Sequence, residues 1–326
     1  MGGKLMGGLP MSINCDKPHL WKADIQASVD LFNTWFTKFA PKAYRETRLQ
    51  TTKQVQEGLL MTRDLTAITP EVLKEHPGIL PMLRMATCPP LARDRLVGLA
   101  YTKKSLVEAM EGGKIPVRMA EDALAENLRR ITGMIAKMLD VDIFPWLAVK
   151  GVASKEDRYR ASTIVADRLC GAVSDPIVRN AQEKRQLALI GDYLSKNGYR
   201  HEQHPSTEPL QNMRPGTYGF RMAVVAGEPH KVKIPVDVVI QPRKPAADRI
   251  PVLIEAKSAG DFTNVNKRRK EEATKIRQIR ATYGDSARFI LFLCGYFDSG
   301  YLGYEAAEGI DWVWEHRIED MAKLGF

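Results

Sequence analysis

The feature that most limits how this chain can fold is a set of strand-length apolar runs in its C-terminal half. They are Tyr218 to Val225, Val232 to Ile240, Ile250 to Ala256 and Phe289 to Leu293. Gly227-Glu228-Pro229 turns the chain between the first two, and the helical stretch Val265 to Tyr283 precedes the fourth. β-branched runs bounded by turn formers read as strands. Phe289 to Leu293 is apolar at every position, which fits a strand buried on both faces and parallel to its neighbour. Ile177 to Leu194 reads as a helix, stopped at Asn197-Gly198. The order helix, three strands, helix, strand predicts an α/β fold built on a mixed sheet with covered faces. Trp312 and Trp314 alternate with more polar neighbours, so a further strand with both indoles in the core is expected there, with a short helix over Ile318 to Leu324.

Two of these runs carry acids. Asp237 is followed by Val238, Val239 and Ile240, and Glu255-Ala256-Lys257 directly follows Pro251 to Ile254. Charged groups on strands that want burial are costly unless paired or metal-bound. Glu255 and Lys257 are two apart, so they leave the same face of their strand. Two carboxylates and an ammonium on rigid strands can hold a hard divalent cation and activate water. This assigns Asp237 and Glu255 as metal ligands, with the Ala256 carbonyl as a third oxygen. Lys257 is expected to position or deprotonate the attacking water, which requires an amine pressed towards neutrality by nearby metal charge. Such oxygen donors suit Mg²⁺ or Mn²⁺ and disfavour zinc. The competing reading is an exposed strand face with cross-strand charge pairs. Glu183, on the helix before the sheet, is a candidate further catalytic acid, or one member of a solvated charge pattern in Gln182-Glu183-Lys184-Arg185.

The helix that follows Lys257 is basic. Lys267, Arg268, Arg269, Lys270, Lys275, Arg277 and Arg280 stand against Glu271 and Glu272, with Ile276, Ile279 and Tyr283 as its buried stripe. Cations at 267 to 270 oppose the helix dipole, a cost that a DNA phosphate near the same end would offset, the competing reading being a soluble charged face. Asn264 and Asn266 are short polar groups able to reach phosphates or base edges. Arg214, in the turn Met213 to Thr217, is a further candidate DNA contact beside the reading as a plain turn. The whole chain has 48 Lys and Arg against 39 Asp and Glu, net +9, which favours an anionic partner, nucleic acid ahead of membrane. No apolar run reaches the roughly eighteen residues of a membrane span. The four cysteines are far apart and form no CxxC pair, so they read as free thiols in a reducing cytosol.

The expected organisation has three parts. Residues 1–11 are a leader or disordered tail, 12–172 a mainly helical region that wraps DNA or forms a dimer contact, and 173–326 the sheet domain. In the helical region, Pro41 is expected to interrupt a helix, and Thr69-Pro70-Glu71 has the pattern of a helix start. Ser174-Asp175-Pro176 is expected to separate the two regions.

The stretches Ile234-Pro-Val-Asp237 and Ile254-Glu-Ala-Lys-Ser258 resemble the core of the PD-(D/E)XK nucleases. Together with Gly260 to Asn264 and Asn266-Lys-Arg-Arg-Lys-Glu271, they are similar to the XamI family of type II restriction endonucleases. Thr87-Cys-Pro-Pro90 and Phe144-Pro-Trp146 share that likeness, so it spans most of the chain. One departure is Val236, which separates Pro235 from Asp237. The resemblance implies a restriction-endonuclease-like fold and Mg²⁺-dependent cleavage of double-stranded DNA at a short palindrome, GTCGAC being the first to test. It also implies a homodimer acting in a bacterial cytoplasm as part of a restriction-modification system. Two alternatives stay open at this point: a structure- or modification-directed nuclease of the junction-resolvase kind, and a non-catalytic DNA-binding protein of the same fold.

Overall fold

The computed structural model describes residues 12–205, 207–227, 231–263 and 265–326, and for 265–268 the backbone alone. The expected leader at 1–11 lies outside the described residues. The chain divides into two compact units, residues up to 39 with 179–326, and residues 40–178. Residues 12–39, expected with the helical region, cluster instead with the sheet.

The unit at 40–178 is all helical. It takes in the second half of α1 (Pro18–Met61), then α2 (Pro70–Glu75), α3 (Leu80–Met85), α4 (Arg93–Leu99), α5 (Lys104–Glu111), α6 (Glu121–Met138), α7 (Pro145–Ala148) and the first part of α8 (Lys155–Lys196). Leu80, Leu83, Leu106, Leu128, Ile131 and Phe144 lie at its core. Thr69 caps α2 as its sequence suggests, its hydroxyl oxygen accepting the Val72 N–H at 3.3 Å. The two proline breaks do not occur: Pro41 lies inside α1 and Pro176 inside α8. An interior proline costs a helix about 3 kcal/mol or more. In α8 a buried stripe runs on both sides of it, Ala161, Val165 and Leu169 before and Leu187, Ile190 and Leu194 after. Burial of such a stripe outweighs the local penalty, since tertiary packing contributes most of a helix's stability.

The other unit holds a six-stranded sheet in simple chain order. Its strands are β1 (Arg200–His201), β2 (Thr217–Ala226), β3 (Val232–Gln241), β4 (Val252–Ala259), β5 (Phe289–Gly295) and β6 (Asp311–Trp314). β2, β3 and β4 are antiparallel, whereas β4, β5 and β6 are parallel. The parallel steps are made through α9 (Val265–Tyr283) and α10 (Ser299–Ala307), and a 3₁₀ segment over Glu315–Leu324 closes the chain. Leu187, Ile190 and Leu194 of α8 pack on one face of the sheet. Ile276 and Ile279 of α9 and Leu302 of α10 pack on the other. Trp312 and Trp314 are fully buried as expected. This is the restriction-endonuclease-like α/β core that the element order implied. The sequence reading missed β1, which is too short to show a period, and α10, whose Gly300 and Gly303 weaken its helical signal.

One irregularity sits at the centre of the sheet. On β2, Tyr218 and Phe220 pack on the α8 face, but Met222, Val224 and Ala226 face α9. On β3, Val238 and Ile240 face α8, but Ile234 and Val236 face α9. A regular strand keeps alternate residues on one face, so both strands invert at Arg221 and Asp237. These two stand opposite each other, and the β2–β3 register skips them. Arg221 adopts φ +50°, a left-handed conformation uncommon outside glycine, which reverses the side-chain alternation there.

Candidate active site

Asp237, Glu255 and Lys257 meet where β3 and β4 part. The register between these strands covers only Val238↔Ile254, Val239↔Leu253 and Ile240↔Val252. Just beyond it, Asp237 Oδ2 accepts the Ala256 N–H at 2.8 Å, so the side chain bridges the fork. Glu255 is buried, and its Oε1 accepts from Lys257 Nζ at 3.0 Å. Its Oε2 is buried with no hydrogen-bond partner among the described residues. Gln186 of α8 donates to the carbonyl oxygens of Lys257 and Phe292, both at 3.3 Å, and steadies β4 and β5 from behind.

The electrostatics follow from this crowding. Burial, then the neighbouring Glu255 charge, pushes the Asp237 carboxyl up to about 6, with Glu183 adding in the same sense. For Lys257 burial pulls downward, but Glu255, Glu272 and Asp237 outweigh it and the net shift is upward. These acidic neighbours favour the protonated amine, the opposite sense to the pull of a nearby metal charge. Because the folded state raises the Asp237 pKa, its carboxylate costs stability, a cost absent well below the unfolded value and complete above about pH 6. Asp237→Asn, which still accepts from Ala256, is expected to melt at a higher temperature than the parent at pH 8 without metal, and the gain should shrink steadily as pH falls from about 6 towards the unfolded value. Equal melting temperatures at pH 8 would show that the carboxylate is not strained.

Among the described residues, no three His, Cys, Asp or Glu side chains converge as a ready ligand set. The site nevertheless suits a hard divalent cation. Glu255 offers an unpartnered buried oxygen, and two carboxylates stand close enough for one to raise the other's pKa. Asp237, Glu255 and the Ala256 carbonyl would supply oxygen ligands only.

Glu183 lies within electrostatic reach of Asp237, but its Oε1 accepts two bonds from Arg221, at 2.7 and 3.1 Å. It is thus neither a simple solvated charge nor a member of the inner cluster. Glu183→Ala is expected to slow cleavage less than tenfold, and an effect as large as that of Asp237→Ala would place it among the ligands.

The sequence reading missed two residues at the centre of the site. Lys275 of α9, counted there among the outward cations, donates to Glu255 Oε1 at 2.6 Å and to the Pro235 carbonyl at 3.3 Å. Glu272 is buried, with Oε1 3.7 Å from Lys257 Nζ and Oε2 accepting from Tyr301 Oη at 2.7 Å. Behind it Glu305 is buried too, and burial together with Glu272 pushes its carboxyl up to about 9. The signal was present: Glu272 falls in the stripe of Ile276, Ile279 and Tyr283, and Lys275 is one turn from it. Arg280 also turns inward, donating to the carbonyls of Glu308 and Gly309 at 2.8 and 2.7 Å. The net basic face of α9 is accordingly smaller than its composition suggests.

Of the candidate DNA contacts, Arg269 lies over the Tyr304 ring, 3.6 Å from its centroid. Lys270 is exposed, and Arg214 is exposed with Glu202 at 3.8 Å. Asn264 and the side chains of Asn266, Lys267 and Arg268 lie outside the described residues. The four cysteines are free, and no helix among the described residues is long and apolar enough to cross a membrane.

A fork of this kind, with acids on two parting strands and a lysine two residues on, is where a phosphodiester-cleaving metal site of the PD-(D/E)XK type would lie. Residues 63–314 match the XamI restriction endonuclease family. A curated relative, the type II restriction enzyme SalI of Streptomyces albus G, is 56% identical over 313 residues, covering 96% of this chain and 99% of that protein. No solved structure matches the chain. The chain belongs to the XamI restriction endonuclease family. It is a type II site-specific deoxyribonuclease and acts on double-stranded DNA. Neither comparison supports the junction-resolvase or non-catalytic alternatives.

Proposed function

We propose that this enzyme cuts both strands of a short palindrome in a reaction that requires Mg²⁺, with Mn²⁺ as a substitute, and that GTCGAC is the sequence to test first. The site at the β3–β4 fork carries this reading, because Asp237, the free oxygen of Glu255 and the Ala256 carbonyl give a divalent cation the oxygen donors it requires. When bound, such an ion supplies positive charge to the phosphoryl oxygens as the bond breaks. Lys257, whose acidic neighbours favour its charged form, orients the attacking water and offsets charge on the phosphate. Asp237 keeps its position through the Ala256 N–H, and Glu255 through its ammonium partners. Glu183 tunes the site from α8 through its charge on Asp237.

DNA contact is assigned to the start of α9, with Asn264, Asn266, Lys267, Arg268, Arg269 and Lys270, and to Arg214. Symmetric cleavage of a palindrome needs two sites related by a two-fold axis, which motivates a homodimer. The helical region is proposed to serve that contact, DNA wrapping, or both, in a bacterial cytoplasm. Digestion of plasmids with and without Mg²⁺, followed by sequencing of the ends, tests this reading. Discrete fragments ending at GTCGAC are expected only with the metal. Fragments ending elsewhere would reject the site, and equal cutting in a chelator would reject the metal requirement.

A further inference from the structure

The strand and the helix that frame the site present their charges in crossed pairs. β4 offers Glu255 and Lys257 on one face, and α9 offers Glu272 and Lys275, three apart and therefore on one side of the helix. Glu255 meets Lys275 at 2.6 Å and Lys257 at 3.0 Å, while Lys257 meets Glu272 at 3.7 Å. The four formal charges cancel. One oxygen of Glu255 is held by two ammonium groups and the other is left free.

We infer that Lys275 is a built-in counter-ion to the metal ligand Glu255, a positioning residue that keeps the site charge-balanced before the metal arrives and thereby weakens metal binding to the DNA-free enzyme. The physical reason is direct. A buried carboxylate needs a partner, and Lys275 supplies one from outside the motif. A divalent cation arriving at the free oxygen of Glu255 meets the field of that ammonium across a single carboxylate group. Repulsion between charges this close is large even at an effective dielectric of about 20. Lys275 also donates to the Pro235 carbonyl, so it ties β3 to the helix just ahead of Asp237 and is held in place from two strands. On this account the metal gains full affinity only when DNA phosphate adds negative charge. This inference rests on the metal site proposed above.

The test is calorimetric titration of Mn²⁺ into the full-length, DNA-free protein, with thermal melting to confirm that each variant is folded. Lys275→Gln is expected to bind Mn²⁺ at least about tenfold more tightly than the parent. Lys275→Met, which keeps the apolar stem, should do the same and serves if the Gln variant does not fold. Lys275→Arg, which keeps the charge, should bind as the parent does. Unchanged or weaker binding in the folded neutral variants would overturn the inference. Glu255→Gln separates this from failure of the site itself. If that variant binds Mn²⁺ like the parent, the metal site is misplaced. If it loses binding while the neutral Lys275 variants gain nothing, only the role of Lys275 falls.

Discussion

Replacing Asp237 or Glu255 by alanine is expected to abolish cleavage of a cognate duplex, with single-turnover rates in Mg²⁺ falling at least about a thousandfold. The magnitude is of the order seen when one fixed electrostatic stabiliser is removed from a reaction centre, about a hundred- to a thousandfold, and here the group lost also holds the ion. The two changes should not be equivalent in the free protein. Loss of Glu255 leaves Lys275 and Lys257 facing each other without their shared acceptor, so that variant should also melt lower. Loss of Asp237 removes a strained carboxylate together with its bond to Ala256, so its cost to stability should be smaller. Both variants should still bind the duplex in Ca²⁺, because the proposed phosphate contacts lie on α9 and near Arg214. Near-normal cleavage by either one would mean that the reacting phosphate lies elsewhere.

Lys257→Ala is expected to bind its duplex normally and to cut at least about a hundredfold more slowly, the scale of a lost proton-handling group. Because the acidic neighbours of Lys257 favour its charged form, Lys257→Arg offers a finer distinction. If the residue orients water and offsets charge, the guanidinium should restore part of the rate. If it must act as a neutral base, arginine, which does not give up its proton, should be as slow as alanine. The pH profile gives the same answer independently, since a base would make the rate rise with pH until the amine is neutral. A Lys257→Ala variant with both normal affinity and a normal rate would remove the residue from the reaction altogether.

Much of this site was legible in the sequence because it is written in short range. Asp237, Glu255 and Lys257 interrupt apolar runs, and the period of a strand alone puts the last two on one face. The sheet was legible for the same reason. What escaped depends on contacts between distant segments. The prolines at 41 and 176 are strong local stop signals, overridden by buried stripes that only the assembled core reveals. The inversion at Arg221 has no sequence mark, since nothing in the composition of β2 announces a left-handed residue. Lys275 and Glu272 were hidden by company: in a helix with seven cations, one that turns inward looks like the rest until its neighbour across the sheet is known.

The skipped pairing at Arg221 and Asp237 has a mechanical consequence. Asp237 has no register partner on β2 or on β4, while Val238 to Ile240, immediately after it, are paired on both sides. The carboxylate proposed to hold the metal therefore hangs at a seam in the weave, beside its firmest threads but outside them. Small adjustments of Asp237 as metal and DNA settle need not tug on the hydrogen bonds that keep the sheet intact. Adjustment at the proposed cutting edge and endurance of the scaffold would thus fall to adjacent residues of a single strand.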